Sequence, residues 1–192
     1  LIAYLLYYLI IISFTVLVSL IFKNNTSALS LTLICWFLWT IFLPKTIGSF
    51  TENLTTQPSR FSLQNNMDED RAKGIDGHNP EDKRIKDLEA KVLEEYNVDS
   101  LSQLPINFYG ILLQADEEYG NKVWDKHYGK LYSNLIEQKK HYQLSGIINP
   151  FASLQCLSMA VSGTDLIHHL DFLNKAEIYR RGFIKTLNHE YT

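Results

Sequence analysis

Four side chains near the end of the sequence could hold a metal ion: Asp165, His168, His169 and Asp171. Asp165 precedes the two histidines by three and four positions, spacings that bring side chains onto one helical face, as a metal pair requires. Neighbouring residues on a helix point ~100° apart, so His168 and His169 cannot both share that face. The expected arrangement is plainer. Asp165 complements the positive start of a helix, one histidine packs, and the other meets water. Asp165, His168 and His169 are therefore metal candidates only, and no metal is expected.

Two further groups have chemical potential. Asp116-Glu117-Glu118 offers paired carboxylates for acid–base work, but three consecutive acids spread around a helix, so a solvated face is expected. Tyr179-Arg180-Arg181 with Lys185 makes a basic face, which either meets lipid headgroups or stands exposed. The phosphate-cradling loop of nucleotide-binding chains is absent, as are a nucleophile elbow, a His-Glu-x-x-His pair and a Cys-x-x-Cys pair. No catalytic residue and no cofactor site is expected, and the chain does not read as an enzyme.

These residues are positioned by a chain of two unlike parts. Residues 1–50 hold two basic residues, Lys23 and Lys45, and no acidic one; residues 51–192 hold the other sixteen basic residues and all twenty-one acidic ones. That acidic balance argues against nucleic acid as a partner, because such binding relies on clustered Lys and Arg. Cys35 falls in the middle of an apolar run and Cys156 in the polar part, so two free, buried thiols are expected rather than a disulfide.

Leu1 to Phe22 contains no charged residue. At ~1.5 Å per residue a helix of this length reaches ~33 Å, enough for the ~30 Å hydrocarbon layer of a bilayer. A second uncharged run, Thr26 to Leu43, follows after Lys23-Asn24-Asn25 and closes at Leu43-Pro44-Lys45. Proline restricts the residue before it, and the lysine can reach the headgroups. The length of the first run, the lack of a basic leader and the second run behind it argue against a signal peptide. Lacking an initiator Met, the chain is expected to begin inside a longer polypeptide.

The expected organisation is thus all-α. Residues 1–45 form a transmembrane hairpin (helices at about 1–22 and 26–43), 46–79 a polar linker, and 80–192 a helical domain outside the membrane, which the resemblance that follows implies to be extracytoplasmic and to lead back towards a further span. Asn79-Pro80-Glu81-Asp82 reads as a helix start, with Ile85, Leu88, Val92 and Tyr96 in one stripe. A long helix spans about 108–144, its stripe running Trp124, Tyr128, Leu131, Leu135 and Tyr142, and Gly120 is a point for a break. Asn149-Pro150 starts a helix apolar on nearly every side, which must be buried or lie against the membrane. Gly163, Thr164 and Asp165 form a structural hinge to a last helix with Phe172, Ala176, Tyr179, Phe183 and Leu187 on one face. No period-two run suggests a strand.

The order of these features resembles a family of bacterial ABC transporter permeases. The resemblance rests on Leu104-Pro105 with Asn107 and Gly110, then Asn149-Pro150-Phe151 and Leu157-Ser158-Met159-Ala160-Val161-Ser162-Gly163-Thr164-Asp165. His168-His169, Phe172, Ala176-Glu177, Tyr179-Arg180 and Leu187-Asn188 continue it. It is similar to the C-terminal region of type-2, exporter-like permeases that bear a domain of unknown function, and to the permease component named for maturation of multi-copper enzymes.

The resemblance implies a multi-pass permease of the bacterial inner (cell) membrane, with lipid around it, a separate ATP-binding subunit and a second permease copy as partners. It places residues 46–192 outside the cytoplasm, and Lys23 in the short turn agrees. No Cys or Met cluster is present to hold soft copper, so the cargo does not carry over. The alternative function is a membrane-anchored extracytoplasmic binding or sensor module. We expect the chain to stay with membranes through a carbonate wash, and residues 46–192 to resist protease added from the cytoplasmic side. Release into the supernatant would contradict the membrane reading, and cytoplasmic cleavage the orientation.

Overall fold

The first uncharged run forms α1 (Ile2–Ile21), the first of eight α-helices among the described residues of a computed structural model, which are 1–55, 57–75 and 82–192. The others are α2 (Asn25–Phe37), α3 (Leu43–Leu54), α4 (Arg60–Arg71), α5 (Lys83–Tyr96), α6 (Phe108–Ser145), α7 (Pro150–Ser162) and α8 (Leu166–Tyr191). No strand occurs among the described residues, and the chain is all-α as expected. It divides into two compact units that do not follow the boundaries at 45 and 79. The first holds Leu1–Gln57 and Ser133–Asp171; the second holds Pro58–Tyr132 and Phe172–Thr192.

In the first unit, α1 and α2 pair through the turn at Lys23 and Asn24, with Val18 and Ala28 buried between them. The second run departs from its expected end. It continues through Pro44 to Leu54 as one stretch long and apolar enough to cross a membrane, and α1 is another. A single π-helical turn at Leu38–Phe42, closed by the Leu43 amide on the Leu38 carbonyl, makes this possible. Widening the helix there gives the proline ring room that a regular turn denies it against the carbonyl four residues back.

Only 11% of the α1 window and 6% of the second is buried. A core helix of a water-soluble domain has the opposite distribution. Hydroxyls within these helices bond back to their own turn: Thr15 to Ile11 O at 2.8 Å, Thr32 to Ala28 O at 2.9 Å and Thr40 to Trp36 O at 2.8 Å. They need no water to be satisfied. Trp39 packs on Phe14, with ring centroids 4.9 Å apart, whereas Trp36 faces outward. Helix α7 lies along α1, with the Tyr7 and Phe151 rings 6.2 Å apart.

The second unit corrects the expected polar linker, because α4 and the end of α3 occupy much of 46–79. Its polar residues hid an element held by partners far along the chain. The proposed start at Asn79-Pro80-Glu81 lies outside the described residues. Helix α5 is described from Lys83, with the Asp82 carboxylate accepting from the Arg84 amide at 2.9 Å. Ile85 and Val92 of the expected stripe are buried, while Tyr96 is exposed. Helix α6 runs unbroken through Gly120. Glycine there answers to packing: a Cβ would lie 2.1 Å from the Arg71 guanidinium.

Helix α7 matches its expected signature closely. The Asn149 side chain accepts from the Phe151 and Ala152 amides at 3.1 and 3.4 Å, Pro150 takes the first turn, and Gly163 ends the helix at φ 69°, ψ 20°. Nothing approaches a Gly163 Cβ closer than 3.9 Å, so any substitution penalty there comes from backbone conformation. Gly163→Ala should cost about 1–2 kcal/mol in thermal or denaturant unfolding, with Gly163→Asn closer to wild type. Gly129→Ala, in open space on α6, should be neutral or stabilising by up to about 1 kcal/mol. Equal effects at the two positions would contradict the assignment.

Candidate functional site

Asp165 closes the turn after Gly163 and caps α8: its Oδ1 accepts from the His168 amide at 3.0 Å. The same oxygen meets His168 Nδ1 at 2.5 Å, and Oδ2 takes the Lys139 ammonium from α6. The carboxylate is buried. Lys139, then the His168 ring and amide, hold its pKa well below the usual carboxylate range. A carboxylate so engaged is a poor base and offers a metal little. The structure thus brings Asp165 and His168 together and leaves His169 exposed, its amide bonded to the Asp165 carbonyl at 3.1 Å. No group of three or more His, Cys, Asp or Glu suited to a metal ion occurs among the described residues. Lys139 is the partner that sequence reasoning missed.

Neither cysteine is fully buried, in contrast to expectation; both are free and partly exposed.

In the second unit the acidic triplet is engaged, not solvated. Asp116 meets Arg71 at 3.1 Å, Glu117 meets Arg180 at 2.7 Å, and Glu118 accepts from Gln114 at 3.0 Å. The basic face divides: Tyr179 and Lys185 are exposed, as one account expected, whereas both arginines are paired. Arg180 donates to Glu177 at 2.8 and 2.9 Å and to Asn121 at 2.8 Å. Arg181 grips Asp125 at 2.6 and 3.0 Å, donates to Glu177 at 2.8 Å and lies 5.5 Å from the Trp124 ring centroid. Planar guanidinium forks suit this use, each serving more than one acceptor. These contacts join α8 to α6 by a polar seam, which Asn188 extends to Gln114 at 3.1 Å.

The expected face of α8 is corrected as a result. Phe172, Ala176, Tyr179, Phe183 and Leu187 share a side of the helix but are exposed, while Leu170, Glu177 and Asn188 lie on the packed side. A second cluster, invisible in the linear sequence, centres on Asp70 of α4. Its carboxylate meets Lys126 at 2.5 Å, Lys73 at 2.6 Å and His127 Nε2 at 2.8 Å. Lys126 leads the groups that depress its pKa. Two ammonium groups saturate this carboxylate, so it fastens α4 to α6 and is poorly placed to act as a base. Only the separation of its members, in a stretch that looked like linker, concealed it.

In comparison with known proteins, residues 60–191 match the family described as Domain of unknown function (DUF3526). No curated protein and no solved structure matches the chain.

The seam has a pH signature. Arg180, with Arg181, holds Glu177 at about 2 against an ordinary value of 4.5. A depressed folded-state pKa gives stability that is complete above the unfolded value and lost as pH falls through the folded one. Wild type should therefore lose this contribution from about pH 4.5 down to about 2. Glu177→Gln should melt lower at pH 7 and approach wild type as pH falls through that window. A constant gap in melting temperature across the window would contradict the seam.

Proposed function

The chain belongs to the DUF3526 family, and from that premise we propose that it is a permease subunit of an ABC transporter. In this reading it couples ATP hydrolysis by a separate subunit to transport across a bacterial cell membrane. The carrying observation is the pairing of two exposed helices, each long and apolar enough to span a bilayer, with the family domain that follows them. That is the order found in the permeases the sequence resembles. With no phosphate-binding loop in the sequence, energy enters through a partner that does carry one. A second permease copy would complete the pathway, and the domain would stand on the extracytoplasmic side of the inner membrane.

A sensor or binding module is the second reading, favoured by the exposed aromatic face of α8, where Tyr179 and Phe183 stack 6.3 Å apart. Purification from native membranes separates the two. A permease should bring down an ATPase subunit and show no nucleotide turnover without it. ATP hydrolysis by the purified chain alone, or a signalling kinase in place of the ATPase, would overturn the transport reading.

A further inference from the structure

The turn joining α6 to α7 has the opposite character from a turn built for water. Leu144, Ile147 and Ile148 are 63%, 85% and 76% exposed, and no residue from Leu144 to Thr164 is charged. The amides of the turn meanwhile ask nothing of solvent. The Gly146 and Ile147 amides donate to the Gln143 and Leu144 carbonyls at 3.0 and 3.2 Å, and both the Ile148 and Asn149 amides donate to Ser145 O, at 3.1 and 2.9 Å. Pro150 has no amide, the next two are capped by Asn149, and Ser153 Oγ donates to the Gly146 carbonyl at 2.8 Å. Satisfied amides lower the desolvation cost of setting such a turn and its exposed aliphatic side chains against hydrocarbon.

Its place in the first unit fixes the depth. A groove of about 470 Å³ is lined by Ile147 and Ile148 together with Tyr7, Ile10 and Phe14 of α1 and Trp39. Those α1 residues lie between the start and the middle of the helix. At the far end of α7, Leu157, Val161 and Ser162 line a second groove with Leu1 and Tyr4, and the Tyr4 hydroxyl is 3.5 Å from Ser158 Oγ. Helix α7 thus runs beside the first half of α1, with its turn at the deeper end. Of the charged groups flanking the uncharged run, Lys139 is paired with Asp165, and Lys140 precedes the run beside it.

We propose that the α6–α7 turn and α7 form a re-entrant hairpin whose occupant is lipid: Leu144, Ile147 and Ile148 sit among acyl chains in the half of the bilayer where α1 begins. The lipid surface is the one partner continuous with the exposed face of α1 that the turn adjoins. This proposal rests on α1 being a span, and the test separates the two claims.

The whole chain, with Cys35 and Cys156 replaced by Ala, is reconstituted in phosphatidylcholine vesicles. It carries a fluorophore on one introduced cysteine at Leu144, Ile147 or Ile148. Leu9→Cys on the exposed side of α1 is the lipid reference and Ser102→Cys in the polar loop before α6 the water reference. Acyl-chain nitroxide lipid should quench the three turn probes as it quenches the Leu9 probe, and aqueous iodide should reach the Ser102 probe alone. Turn probes open to iodide while the Leu9 probe stays lipid-quenched would overturn the hairpin and leave the span standing. Turn probes closed to both quenchers would mean that protein covers the turn, which also overturns the proposal. A Leu9 probe open to iodide would overturn the span reading itself. Using three turn positions guards against the loss of any one variant to misfolding.

Discussion

Helices α1 and α2 carry no charged side chain and expose most of their apolar ones, so their backbone hydrogen bonds must close within each helix. That constraint shapes the rest of the first unit. It explains why Thr15, Thr32 and Thr40 bond to carbonyls one turn back. It explains why the chain passes Pro44 by widening a turn instead of opening a loop, since an opened loop would leave carbonyls unpaired. It also governs the α6–α7 turn, where Asn149 spends its side-chain oxygen on two amides that Pro150 and the helix start leave unserved. An exposed apolar surface is compatible with an ordered fold only when such accounts are closed.

The second unit solves a different problem. Its helices meet through charged groups, and a charged group drawn partly out of water needs partners that replace its hydration. Glu177 receives two guanidinium groups, and each guanidinium reaches on to an acid of α6. Asp70 receives two ammonium groups and an imidazole. Networks of this kind fix which helix faces meet, because a rotation of α8 would strand several charges together. They also leave its aromatic face outward.

How much of this was legible in the sequence depended on how local the cause was. The Asn149-Pro150 start, the left-handed Gly163 and the Asp165 cap are determined by residues within four positions of one another, and the sequence pattern was enough to place them. The two long apolar helices were legible because length and absence of charge suffice. Pro44 misled because its usual consequence, a helix end, was averted by a π-helical turn that no residue in the sequence advertises. Helix α4 was hidden because polarity suggests a linker, whereas its Asp70 anchors lie more than fifty residues away.

The α8 face shows the deepest limit of pattern reading. Apolar periodicity predicts burial when the alternative is water, and on that rule Phe172, Tyr179 and Phe183 belong inside. The rule weighs one helix at a time. Arg180 and Arg181 can satisfy their charge on Glu117, Asp125 and Glu177 only if that side of α8 turns to α6, and Arg181 lies opposite the aromatic stripe with Arg180 on its flank. Glu177, only 14% exposed, needs both guanidinium groups to replace its hydration, whereas an exposed aromatic ring leaves no polar group unpaired. The same reasoning applies to the site residues. Asp165 is surrounded by donors because a buried carboxylate at a helix start has to be, so its neighbourhood with His168 reflects capping before chemistry.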